Sequence, residues 1–158
     1  MRRTPLPRKD FPLEHLEIRY ERAFPANVAA MEEIVHEIMG IIATAECAIE
    51  AEWQIELALR EALANAVLHG AKCDAAKRVA VSVACADRVG VLIVVRDPGD
   101  GFDPTRVPSP VVGENLYSDH GRGIFLINQI MDEVRFEKGG TEIHMLKRRP
   151  GPASQSET

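Results

Sequence analysis

Long apolar runs are missing from this chain of 158 residues, and with them the case for a membrane protein. No stretch approaches the roughly 20 apolar residues that a spanning helix needs. The head, Met1-Arg-Arg-Thr-Pro-Leu-Pro-Arg-Lys, is basic but lacks the apolar run of a signal peptide. Residues 1–13 carry three prolines and five charges and read as a flexible arm. Cysteine is scarce: Cys47, Cys73 and Cys85 are odd in number and far apart, and no CxxC pair exists. That excludes a disulfide framework and a paired-cysteine zinc site, and suits free, mostly buried thiols in a reducing, cytoplasmic setting. A surplus of positive charge is also lacking. The formal net charge of -5 argues against direct nucleic-acid binding. What is present is a 46% hydrophobic composition, enough for the core of one domain of ordinary size.

The pattern along the chain divides into short elements. Residues Leu16 to Tyr20 alternate apolar and polar side chains and read as a strand. From Pro25 a helical pattern begins, with Val28, Met31, Ile34, Val35, Ile38 and Ile42 at steps of three and four up to about Ala45. A second helix runs from about Ala48 to Leu68 and stops at Gly70, a natural C-terminal glycine. Arg78 to Ala86 and Gly90 to Arg96 form a hairpin, the second strand apolar on both sides. Residues 97–118 are rich in Pro, Gly, Asp and Ser, a loop long enough to suggest a functional lid. A helix follows Gly121-Arg-Gly, and two strands, 133–137 and 141–147, flank Lys138-Gly139-Gly140. The tail 149–158 has a disordered composition. The order predicts an α+β fold: a two-layer α/β sandwich with a mixed, mostly antiparallel sheet and helices on one face, one domain over 14–148.

Three segments carry chemistry. On the second helix, Ile55, Leu59, Ala62 and Ala66 make a core stripe. Glu61, Asn65 and His69 run beside it, drifting about 40° per four-residue step. A carboxylate in that half-buried position costs desolvation energy unless it has a partner or a task. The Asn amide oxygen is a hard neutral ligand for Mg²⁺ on phosphate oxygens, and the Glu can orient or deprotonate an attacking hydroxyl. Next, Asp97-Pro98-Gly99-Asp100-Gly101-Phe102 follows an apolar strand. An Asp held at a strand end can accept from an exocyclic amine such as that of adenine, and the glycines let backbone approach a flat base. Last, Gly121-Arg122-Gly123 opens a helix, where free N–H groups and the positive dipole end suit phosphate. Each segment alone also fits a plain helix edge or turn. Their succession, each at the edge of an element, points to a nucleotide site.

These segments resemble the Bergerat-fold ATPase superfamily of gyrase B, histidine kinases and their relatives. Glu61-Ala-Leu-Ala-Asn65-Ala-Val-Leu-His69-Gly70 looks like its N box, Asp97-Pro-Gly99-Asp-Gly101-Phe102 its G1 box and Gly121-Arg-Gly123 its G2 box, while Gly140-Thr141 matches the Gly-Thr that follows. The Asn-Ala-x-x-His-Gly ending and the short chain are most similar to the anti-sigma-factor serine/threonine kinases. The resemblance covers residues 14–147. It implies ATP and Mg²⁺ as cofactors, Glu61 as general base, Asn65 as metal ligand and Asp97 as acceptor for the adenine amine. It also implies Gly99 and Gly101 beside the base, Gly121 and Gly123 at the phosphates with Arg122 between them, Thr141 supporting the adenine pocket, and a structural His69. The chain departs from the pattern at one place. Several members carry an arginine just before the first G2 glycine, whereas here Ser118-Asp119-His120 precedes it.

The resemblance implies a kinase that phosphorylates a small anti-sigma-factor antagonist with Mg-ATP, with a sigma factor as a further partner and a homodimer as assembly. The alternative is a nucleotide-holding switch that sequesters a sigma factor or other regulator without efficient transfer. A histidine-kinase catalytic module would need a phospho-accepting helical hairpin, for which no room precedes residue 14, and His36 reads as an accessory residue of the first helix.

Overall fold

The computed structural model describes residues 17–45, 50–86, 90–100 and 119–149. The N-terminal arm, Cys47, the turn after Ala86, most of the long loop with Gly101, and the tail from residue 150 lie outside them.

Five strands form one sheet in the order β1-β2-β3-β5-β4, and every neighbouring pair is antiparallel. They are β1 Glu17–Pro25, β2 Arg78–Ala86, β3 Gly90–Arg96, β4 Glu133–Glu137 and β5 Glu142–Arg148. The helices α1 Val28–Ala45, α2 Glu52–Asn65 and α3 Asp119–Ile130 supply the second layer. Strand alternation explains why helices are needed. Val79, Val81, Val83, Val91, Ile93, Val95, Ile143 and Met145 point to one face of the sheet and are buried with Ile34, Ile38, Ile55, Leu59 and Ile127 of the helices. β3 is central and carries apolar residues on its other face too, where Leu92 and Val94 join Ala84 and Leu146 in a second, smaller cluster. Hence its sequence reads as an unbroken apolar run.

Several boundaries differ from expectation for local reasons. Pro25 ends β1, paired with Arg78, and does not open the helix. Helix α1 starts after Asn27, whose Oδ1 accepts the Ala30 N–H at 2.8 Å as an N-cap. It is tied back to β1 by Glu37, which accepts from the Tyr20 hydroxyl at 2.6 Å and from Arg22 at 2.7 Å. Burial and the neighbouring Glu37 push the Tyr20 hydroxyl up to about 12. Helix α2 begins at Glu52, not Ala48, because Glu50 has a left-handed φ of 69° that no helix can run through. α2 also does not end on a left-handed glycine. Its last turn widens into a π-helical turn, Ala66–Gly70, closed by Ala71 N–H to Ala66 O at 2.8 Å. The left-handed residues come later, at Lys72 and Cys73. Cys85 is buried as expected, but Cys73 is exposed, since it sits on this surface turn. No helix among the described residues is long and apolar enough to cross a membrane.

On the sheet face away from the helices, the end of β3 meets the start of β5. Arg96 Nε donates to Glu142 Oε2 at 2.7 Å, and His144 Nε2 lies 2.6 Å from Glu142 Oε1. Burial pushes the Glu142 carboxyl up, yet the bonds from Arg96 and His144 outweigh it and hold the group below its ordinary range. A depressed carboxylate contributes stability that is fully present above its unfolded pKa and lost as pH falls through the folded value. Thermal melts of Glu142→Gln across the acid range should therefore lose less stability on acidification than melts of the native chain.

Candidate functional site

A cavity of about 570 Å³ opens between α2, the β3 end and the β4–β5 turn. Its floor is apolar: Ala62 and Ala66 of α2, Ile124 of α3, and Val95, Phe136 and Ile143 of the sheet. Polar groups enter it from both walls. Asn65 lies on the α2 wall; Asp97, Gly99 and Thr141 lie at the sheet end. A concave apolar slot with a handful of placed polar groups is the usual form of a small-molecule site.

Asp97 follows directly on β3, and its N–H continues the ladder by donating to Thr141 O at 2.9 Å. Its Oδ1 accepts the Gly99 N–H at 2.8 Å, so the loop folds back on the carboxylate. Burial pushes the Asp97 carboxyl up, and the Gly99 N–H partly opposes that. Gly70 and Gly99 are there for space. A Cβ on Gly70 would lie 2.4 Å from Asp97 Cγ, and one on Gly99 would lie 2.5 Å from the Gly70 carbonyl oxygen. The helical run stops at Gly70, as the sequence pattern reads, and the π turn delivers that glycine against Asp97, a contact the pattern does not announce.

A second close approach lies one turn along α2. A Cβ on Gly123 would stand 2.8 Å from Glu61 Oε2 and 3.3 Å from Asn65 Nδ2. Glu61, Asn65 and Gly123 are therefore one cluster, with the ends of the Glu61 and Asn65 side chains resting where a side chain on residue 123 would begin. The helix begins at Asp119, two residues ahead of the expected start at Gly121. In a regular helix the N–H of a fifth residue is already bonded to the first carbonyl. The free N–H groups of α3 thus belong to the turn around Gly121, and Gly123 lies within the helix beside Glu61 and Asn65. Arg122 is exposed and is not among the residues lining the cavity. Gly101 lies outside the described residues.

Thr141 lines the cavity, but its hydroxyl donates to Lys138 O at 2.9 Å, which closes the Lys138–Thr141 turn. Four lining residues have a polar or charged side chain to which motif reasoning gave no role in the pocket: His69, Lys72, Lys77 and Asp100. The two lysines sit on the turn after the π segment, so only its left-handed course brings them to the cavity; no sequence period announces them. Among the described residues no cluster of three or more His, Cys, Asp or Glu side chains stands ready for a metal. A hard cation held here would use the Asn65 amide oxygen, a donor type suited to Mg²⁺ that keeps most of its waters.

A sequence profile of the histidine kinase-like ATPase domain matches residues 24–147. The chain is similar to the serine-protein kinase RsbW of Bacillus licheniformis, 34% identical over 105 residues, which are 59% of this chain and 62% of that protein. It is also similar to an anti-sigma F factor of Clostridium perfringens, 32% identical over 121 residues, 70% of this chain and 82% of the relative. The match thus spans less than two thirds of the first relative and most of the second.

Proposed function

The chain belongs to the histidine kinase-like ATPase domain family, and from that premise we propose that it is an ATP-binding anti-sigma-factor serine/threonine kinase. The observation that carries the reading is the convergence of Asn65, Asp97, Gly99 and Thr141 on one apolar cavity, with Glu61 and Gly123 packed beside Asn65. The adenine amine donates to Asp97, whose loop is held by Gly99. The phosphates run toward Asn65 and the first turn of α3 around Gly121. Mg²⁺ bound at Asn65 would neutralise phosphate charge. Glu61 takes the proton of the attacking serine or threonine hydroxyl.

The substrate we assign is a small anti-sigma-factor antagonist, with a sigma factor as second partner; one similar protein is named a serine-protein kinase and another an anti-sigma factor. The first of those names favours transfer over a switch that only holds nucleotide. For a homodimer the face would be β1, an edge strand with exposed Ile18, together with the exposed Val28 at the start of α1; sedimentation of the purified chain reads it.

The test is incubation of the chain with labelled ATP, Mg²⁺ and an anti-sigma-factor antagonist from the same genome. Label on a serine or threonine of the antagonist is the expected result. ATP binding without any transfer would leave the holding switch in place of the kinase. A variant at Gly123 separates site from fold. Gly123→Ala drives a methyl against the ends of two flexible side chains, so the fold survives, and alanine favours a helix by about 0.5–1 kcal/mol over glycine. Transfer should fall at least tenfold while the melting temperature holds or rises.

A further inference from the structure

We propose that Arg96, Glu142 and His144 are positioning residues for the nucleobase: a bracket behind the cavity wall, half-buried at Arg96 and buried at Glu142 and His144, that sets where Asp97 and Thr141 stand. The proposal rests on the assignment of Asp97 to adenine made above.

The argument is one of strand alternation. Val95, Asp97, Thr141 and Ile143 all line the cavity. Side chains between them on the same two strands must point to the opposite face. Those residues are Arg96 and Glu142, which are direct cross-strand partners in the β3–β5 register. The next rung continues the wall: Asp97 N–H donates to Thr141 O. The ion pair therefore clamps the rung immediately behind the two base-facing residues. Glu142 is 1% exposed and His144 is 1% exposed. A charge so deep on the sheet is expensive unless it is fully bonded. Here Glu142 accepts from Arg96 at 2.7 Å, meets His144 at 2.6 Å and has Lys138 Nζ at 3.6 Å. Lys138 links the bracket to the cavity a second time, because its carbonyl accepts the Thr141 hydroxyl.

Stability alone does not account for this arrangement. Immediately beside it the same face is apolar, with Val94, Leu92 and Leu146 buried. Replacing a buried ion pair by well-packed apolar residues is often neutral or stabilising. The bracket also carries its own burden: Arg96 Nη2 and His144 Nδ1 are buried and have no hydrogen-bond partner among the described residues. Fixed geometry is what such a bonded cluster supplies, since each strand end is held at one distance and one angle. Asp97 needs that, because reading an amine requires a carboxylate oxygen placed within a few tenths of an ångström.

The experiment measures the dissociation constants of ATP and GTP for the native chain and for Glu142→Ala, Glu142→Gln, Arg96→Met and Leu146→Ala, at a temperature where melts show each one folded. GTP lacks the exocyclic amine at the position Asp97 reads, so the ATP-over-GTP preference reports base reading and is indifferent to a uniform loss of stability. Glu142→Ala and Arg96→Met should weaken ATP at least tenfold and reduce the preference by a similar factor. Glu142→Gln, which keeps hydrogen-bonding groups in place, should recover most of both. Leu146→Ala should lower the melting temperature with the preference unchanged. A native preference retained in Glu142→Ala, or in Arg96→Met should the alanine variant not fold, overturns the proposal. So does a loss of preference in Leu146→Ala equal to that in the bracket variants. Asp97→Asn is the control for the reading beneath it: if that variant keeps native preference, the adenine assignment itself fails. If it loses preference while the bracket variants do not, the positioning role alone fails.

Discussion

Replacing Asp97 by asparagine should weaken ATP binding by about ten- to a hundredfold and leave the fold intact. A hydrogen bond to a charged acceptor contributes roughly 1.5–3 kcal/mol, and asparagine offers a weaker, neutral oxygen and an amide that repels the adenine amine. The fold is spared for a reason visible in the site. Asparagine keeps an oxygen for the Gly99 N–H, the only hydrogen bond that the Asp97 side chain makes among the described residues. It also removes an ionised group that burial disfavours, since the Asp97 carboxyl is pushed up from its ordinary value by desolvation. The sign follows from linkage. A carboxyl raised in the folded state costs stability above its unfolded pKa, and that cost disappears as pH falls through the unfolded value. At neutral pH the apo Asp97→Asn chain should therefore melt at the native temperature or above it. The upward shift that saturating ATP gives the native chain should be largely lost. Calorimetric titration and melts with and without ATP check both halves. A variant that binds ATP like the native chain would remove Asp97 from the base site.

Glu61→Gln should separate binding from chemistry. General-base catalysis contributes typically 10²–10⁴-fold, so transfer to the antagonist should fall by about that factor. ATP affinity should stay within a fewfold of native, because Glu61 is not among the residues lining the cavity floor. Its place is beside Asn65, across from Gly123. Glutamine is close to isosteric and keeps that packing, while it cannot accept a proton. Single-turnover transfer with nucleotide prebound reads the effect directly. Equal losses in affinity and in transfer would make Glu61 a packing residue of the α2–α3 contact.

Much of this site is legible in the sequence, because its polar members fall where simple periods place them. The four-residue step from Glu61 to Asn65 puts both on one side of α2, and the apolar run Gly90–Arg96 must end where Asp97 begins. The hairpin of β2 and β3 is read correctly for the same reason: Val79, Val81, Val83 and Cys85 keep a strict period of two on one face. What escapes the sequence is produced by contacts between distant segments. Gly70 reads correctly as a helix stop, but its packing against Asp97 through a π turn does not show in the sequence. Gly123 reads as a phosphate glycine, and its close approach to Glu61 and Asn65 of α2 is not announced by any local pattern. Lys72 and Lys77 reach the cavity through consecutive left-handed residues that no propensity would choose. The Arg96–Glu142 pair joins positions 46 residues apart, and Arg96 and Glu142 taken singly read as ordinary strand-end charges.

The proposed function stands or falls on whether this cavity receives the adenine of ATP. Titrating the isotope-labelled chain with ADP and Mg²⁺ while following backbone amide resonances tests it most directly. The account predicts that the amides of Gly70, Asp97, Gly99 and Thr141 shift together along one saturable curve, and that Asp97→Asn moves that curve to higher ligand concentration by the factor given above. Shifts that leave those four amides in place while others saturate, at whatever affinity, would contradict it.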